Sequence, residues 1–196
     1  LIDWHHIQVI YRAGTTESTV FGVTFGATLL LPMEFAIYLG VLLSLVLYLR
    51  RTSKPKITAL ARSHHAKQLV PAQRSNLPEC EALKIIRIDG SIFFGAVDYV
   101  QSALMVIPQK HVLIVASGIN FMDLAGTALL ANEAKRLNAL GGGLYLCNTN
   151  GSVIKPIIRN GHLSAIGKRH FFATKALALS GIDDILHSHT CAGCTP

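Results

Sequence analysis

The chain has 196 residues, a formal net charge of +7 and a 51% hydrophobic composition, with a mean hydropathy of +0.42. It is long enough to bury a core in one or two domains, yet too apolar for an ordinary soluble domain of this size. Much of the basic excess is local, in YLRRTSKPK and ARSHHAKQ, and no aromatic–basic interleaving accompanies it, which argues against nucleic acid as a partner.

The apolar excess is concentrated in residues 20–49, where Glu34 is the one charged side chain. As a single helix this run would extend about 45 Å, more than a hydrocarbon core of roughly 30 Å requires. Pro32 divides it, which predicts two short membrane helices meeting at LPME, with Pro32 at the first helical position of the second. Glu34 then falls in a first turn, where a carboxylate compensates the helix dipole; a role in an ion path is the alternative. Arg50, Arg51, Lys54 and Lys56 end the run abruptly, as basic residues do on the cytoplasmic side of a membrane. The competing reading of the segment is a buried hairpin inside a soluble core.

Residues 52–82 are mixed, basic and punctuated by proline, and read as a connector with little core of its own. His64 and His65 are adjacent and point apart in either helix or strand, so they read as surface residues, not metal ligands. From Leu83 the pattern becomes that of an α/β domain. LKIIRI and SIFFG read as two strands joined in a hairpin at Asp89-Gly90. AVDYVQSALMVI has helical spacing and stops before Pro108. HVLIVAS is a continuous apolar run, which suits a strand covered on both faces.

INFMDLAGTALLANEAKRL reads as a helix start with Asp123 as N-cap and a small-residue first turn, Ala125 and Gly126. Such a turn can hold a phosphate, offer a docking surface, or simply pack closely. LGGG ends this helix; Gly141, Gly142 and Gly143 follow a helix instead of opening one and are no phosphate loop. LYLCNT is the next strand, SVIKPIIRNG a short helix capped by Ser152, HFF a short strand, and TKALALSGI a last helix capped by Thr174. The order ββαβαβαβα predicts a mixed, mainly parallel sheet with packed helices.

Cys80, Cys147, Cys191 and Cys194 form no disulfide framework, which fits a reducing compartment. The tail HSHTCAGCTP gathers His187, His189, Cys191 and Cys194, a spacing able to bind zinc, but at a chain end without a folded frame it reads as a tail. Ser91, Ser102 and Ser117 lack the context of an activated nucleophile and the carboxylates are scattered, so neither an enzyme nor a cofactor is expected. The chain starts at Leu1 without a methionine or signal peptide, and reads as the C-terminal part of a longer protein.

Taken in order, VTFGATLLLPMEFAIYLGVLLSLVLYLRRTSKP resembles the last two membrane helices of the SulP family of anion permeases. KIIRIDGSIFFGAVDYV and HVLIVASGINFMDLAGTALLANEAKRLNALGGGLYLC resemble the STAS domain that follows them, and LIDWHHIQVIYRAGTTE is similar to the amphipathic stretch that precedes them. The resemblance implies an interfacial stretch at 1–17, terminal membrane helices at 18–51, a basic connector at 52–82, a STAS domain at 83–186 and a tail at 187–196. It implies secondary transport of sulfate or another small anion by a parent protein, homodimeric and in the bacterial inner membrane, with the STAS domain in the cytoplasm. The anion site of such a permease lies between broken helices upstream of Leu1, so no substrate residue is named. In the STAS-type anti-sigma-factor antagonists the matching loop reads Asp-Ser-Ser-Gly and its second serine is phosphorylated. Here it reads Asp123-Leu124-Ala125-Gly126, so alanine stands at the phosphorylated position, and Thr127 is the one nearby hydroxyl. These five residues are the regulatory-loop candidates, facing a cytosolic partner or the membrane part. The alternative is a membrane-tethered STAS signalling protein without transport.

Overall fold

The computed structural model describes residues 15–62, 69–72 and 80–186, and the chain divides into two units, Leu1–Arg51 and Thr52–Pro196. The first holds two helices, α1 (Thr15–Leu30) and α2 (Met33–Thr52). The break falls at Pro32 as expected, one position earlier in role: the Pro32 carbonyl accepts from the amides of Phe35 and Ala36, so proline stands before the first turn. At 1.5 Å per residue α2 is about 30 Å long, enough to cross a hydrocarbon core. It alone among the described helices is long and apolar enough to do so; the apolar part of α1, Ser18–Leu30, is shorter.

Within the described residues this segment is not part of a buried core. Of α2 only Ala36 is buried, while Phe35, Ile37, Tyr38, Val41, Leu42 and Leu45 all stand exposed. A soluble protein does not leave such a continuous apolar surface open to water. The two helices approach each other through small residues. A Cβ on Gly40 would press against the Thr24 hydroxyl, the close backbone approach that membrane helix pairs use.

The second unit is a sheet with helices on both faces. Its elements are β1 (Lys56–Arg62), β2 (Leu69–Pro71), β3 (Leu83–Ile92), α3 (Val97–Met105), β4 (His111–Val115), β5 (Ile119–Met122), α4 (Leu124–Ala139), β6 (Gly143–Cys147), α5 (Gly151–Arg159), α6 (Leu163–Ile166), β7 (Phe171–Phe172) and α7 (Lys175–Leu186). The strand order is β2-β1-β3-β4-β6-β7, with β5 pairing β3 off that path. β3, β4, β6 and β7 run parallel, and β1 is antiparallel to β3. Alternation explains the unbroken apolar strands. Ile86, Ile88, Val112, Ile114, Leu144 and Leu146 face the layer of α3 to α6; Ile85, Leu113, Val115, Tyr145 and Cys147 face α7. Each strand is buried on both sides, as parallel sheets are.

The mixed, mainly parallel sheet is legible in the order of elements, but its antiparallel pair lies elsewhere than expected. LKIIRIDGSI is one strand, not half of a hairpin. Gly90 does take a positive φ, of 134°, but as a kink where β3 passes from β4 to β5, with a register shift between Gly90 and Ser91. A Cβ there would meet Pro55. The antiparallel partner comes instead from the segment with a connector's composition: Lys56 lies opposite Asp89 and Leu60 opposite Ile85, and Leu60 and Ala61 are buried. β5 has no counterpart among the expected strands. The cap of α5 is Asn150, one position before the helix begins, and not Ser152. Its amide and the Ser152 hydroxyl both donate to the Ile119 carbonyl, tying α5 to β5. Thr174 caps α7 as expected, accepting from the Leu177 amide. α4 ends as its glycines predict: Gly141 has φ 77°, and the amides of Gly141 and Gly142 return to the carbonyls of Asn138 and Leu137.

Cys147 reports on this core. Burial pushes its thiol up to about 11, with Lys175 pulling weakly the other way. An unfolded thiol ionises first, so this group's contribution to stability is complete below its unfolded pKa and is lost as pH rises toward 11. Alkylation of Cys147, followed by peptide mass spectrometry at pH 8, is expected to be about 100-fold slower in the folded chain than in urea. Equal rates would show that β6 is not enclosed.

Candidate functional site: the Asp123 helix start

The five candidate residues lie where β5 ends and α4 begins. Asp123 is extended, with φ −98° and ψ −170°, and its side chain accepts from the Gly126 amide, as an N-cap does. That bond, through Oδ1, measures 2.8 Å. The other carboxylate oxygen, Oδ2, accepts from the backbone amide of Phe94 at 3.0 Å. The Asp123 amide in turn donates to the Ile92 carbonyl. One carboxylate therefore ties the start of α4 to the turn at Phe94–Ala96 that leads into α3. The cap is readable from the sequence; the second tie is not, because Phe94 is remote from Asp123 along the chain.

The small first turn has a steric cause. Gly126 is buried, and a Cβ built on it would run into the Ile92 carbonyl oxygen. The helix start is packed backbone-to-backbone against the end of β3, which no side chain permits. Thr127 is 0% exposed. Its hydroxyl donates to the Leu124 carbonyl and accepts from the Asn160 amide, so it is a structural link between α4 and the end of α5. In this conformation a kinase has no access to it. Ala125 is half-buried and Leu124 exposed.

Electrostatics argue against an anion here. The dipole at a helix start favours negative charge, but Asp123 already supplies it, with both oxygens used. What the site presents is apolar. Around Asp123 stand Phe94, Phe121 and Leu124, exposed by 73%, 53% and 64%. Phe94 and Phe121 look like ordinary strand residues in SIFFG and INFM, so nothing in their local pattern marks them as part of a site. The signal available is that Phe94 directly precedes a glycine and Phe121 lies two residues before the cap, where a strand stops. His187, His189, Cys191 and Cys194 lie outside the described residues.

The STAS domain family model matches residues 74–178, a span that includes this helix start. The chain belongs to the STAS domain family. Among the relatives it matches are sulfate transporters. It is 26% identical over 164 residues to the candidate sulfate transporter YvdB of Bacillus subtilis, covering 82% of this chain and 29% of that one. It is 23% identical over 193 residues to sulfate transporter 4.1, chloroplastic, of Arabidopsis thaliana, covering 88% and 27%. Among solved structures, the murine anion transporter Slc26a9 in its inward-facing state superposes with a TM-score of 0.82 at 19% identity, over 94% of this chain and 31% of that one; this likeness is one of fold. The chain thus spans less than a third of the length of these relatives.

Proposed function

We propose that this chain is the C-terminal part of a secondary anion transporter of the SulP type, carrying sulfate or a related small anion. The observation that carries the reading is the succession, in one chain, of an exposed apolar helix of membrane length, a basic exit and a STAS domain. In this reading residues 18–51 lie in the bilayer of a bacterial inner membrane, residues 1–17 lie along its surface, and the domain hangs in the cytoplasm. The domain performs no chemistry of its own; it regulates the transporter or joins it to a second copy or a cytosolic partner. With alanine at position 125 and Thr127 buried, the regulation does not run through phosphorylation of this loop.

The parent protein, reconstituted in liposomes, is expected to take up radiolabelled sulfate, bicarbonate or a dicarboxylate saturably. Correct insertion without uptake of any of these anions would leave the alternative, a tethered signalling protein.

A further inference from the structure

We propose that the outer edge of β7 binds an extended acidic segment of a partner protein, which adds to the sheet as a further strand. β7 (Phe171–Phe172) ends the strand order, and among the described residues only β6 pairs with it. The Phe172 carbonyl accepts from the Asn148 amide on that side. By the alternation of a strand, the N–H and C=O of Phe171 point the other way, outward. The edge is held in place from both faces. Phe171 packs against the core under α3 to α6, and Phe172 against the core under α7. His170, just before the strand, is fixed by Nδ1, which donates to the Leu144 carbonyl at 2.9 Å, and by its ring, 4.6 Å from that of Tyr145 between centroids.

Charge names the occupant. From Ala134 to Ile182 the sequence holds seven Lys and Arg and no Asp or Glu, whereas the rest of the chain holds eleven of each. The net charge of the whole chain therefore resides in this stretch. Three of the seven, Lys168, Arg169 and Lys175, flank β7, and none of them has an ion-pair partner among the described residues. Lysine beside an edge strand keeps a second copy of the same edge from pairing, and the same charge selects a strand of opposite sign. The described part of the domain offers no such strand itself. Asp89, Asp123, Glu133 and Asp183 are each held by a group within it, and Glu81, Asp98 and Asp184 stand apart along the chain. From Arg169 to Lys175 is at most about 20 Å of extended chain, too long for one small anion and matched by about seven residues of a strand.

The inference gives a chemistry to a cytosolic partner but stands on the domain alone; failure of anion uptake would not bear on it. The full chain, in phosphatidylcholine nanodiscs, is titrated into a fluorescent peptide of alternating glutamate and valine, seven residues long with glutamate at both ends, and binding is read by anisotropy. The double variant Lys168→Glu/Arg169→Glu is expected to weaken binding about tenfold or more. Lys155→Glu/Arg159→Glu makes the same change of charge on α5, which Asn150 and Ser152 tie to β5 and Asn160 ties to α4. Distance and screening should keep its effect within about twofold. The same peptide with every backbone amide N-methylated keeps its charge, cannot form the ladder and should not bind. Slow alkylation of Cys147 shows that each variant is folded. Equal weakening by the two double variants, or none by either, overturns the proposal, because the charge at β7 then has no special place. An N-methylated peptide that binds as tightly overturns it as well, because the edge then attracts any polyanion, lipid headgroup or nucleic acid included. No binding of the plain peptide overturns it outright.

Discussion

Gly126→Val is expected to destabilise the STAS domain by about 3 kcal/mol, a large part of the roughly 5–15 kcal/mol that holds a domain together. Any Cβ at this position meets the Ile92 carbonyl, which belongs to a central strand. That carbonyl also accepts from the Asp123 amide, so it has no freedom to withdraw. A branched side chain must therefore lift the start of α4 off β3, and with it Leu129 and Leu130, which help fill the core under the sheet. The measurement is urea-dependent alkylation of the buried Cys147 in the full chain, where a lower midpoint reports the loss. Gly126→Ala should lie between valine and wild type. Gly141→Ala provides the contrast: nothing lies within 4 Å of its Cβ, but its φ is 77°, so the loss is of backbone conformation alone, about 1 kcal/mol. Valine at 126 no worse than alanine at 141 would mean that the close approach is absent.

The second large effect is expected at Asp123. Removing the carboxylate in Asp123→Ala deprives two amides, Gly126 and Phe94, of their acceptor. An N-cap contributes typically about 1 kcal/mol, and a second hydrogen bond to a charged acceptor brings the expected loss to about 2 kcal/mol. Two milder variants divide that total. Asp123→Ser keeps a capping oxygen and gives up the reach to Phe94; Asp123→Asn keeps one acceptor and turns an amide toward the other N–H. Both should fall between alanine and wild type by the same alkylation measurement. Serine as damaging as alanine would show that the tie to Phe94, and not the cap, carries the stability.

Local rules make several features legible in the amino-acid sequence. Asp123 caps α4 because a short acceptor next to a helical pattern has one obvious use. Gly141 and Gly142 end the same helix because glycine tolerates the left-handed turn that closes it. HVLIVAS, without alternation, announces a strand covered on both faces, and Pro32 announces the break between the apolar helices. Each of these depends on a few adjacent residues.

The features that local rules misplace share the opposite character. Asp89-Gly90 carries a strong hairpin signal, yet the strand runs through it, because pairing with β1 on one side and with β4 and β5 on the other outweighs a local turn preference. The segment 52–82 has the composition of a linker because its prolines and basic residues mask a short strand whose partner, β3, lies beyond them in the chain. Asn150 displaces Ser152 at the start of α5 because both side chains have a common acceptor in β5 to reach.

By itself the sequence determined the partition of this protein into an apolar, membrane-length part and a water-facing α/β part, since hydropathy and periodicity are summed along the chain. It also determined the break at Pro32 and both ends of α4. Tertiary structure alone decided which strand supplies the antiparallel edge, why the first turn of α4 must be bare, and that the Asp123 carboxylate also holds the Phe94 amide. Those outcomes are set by contacts between segments distant in sequence, whose energies no local pattern records.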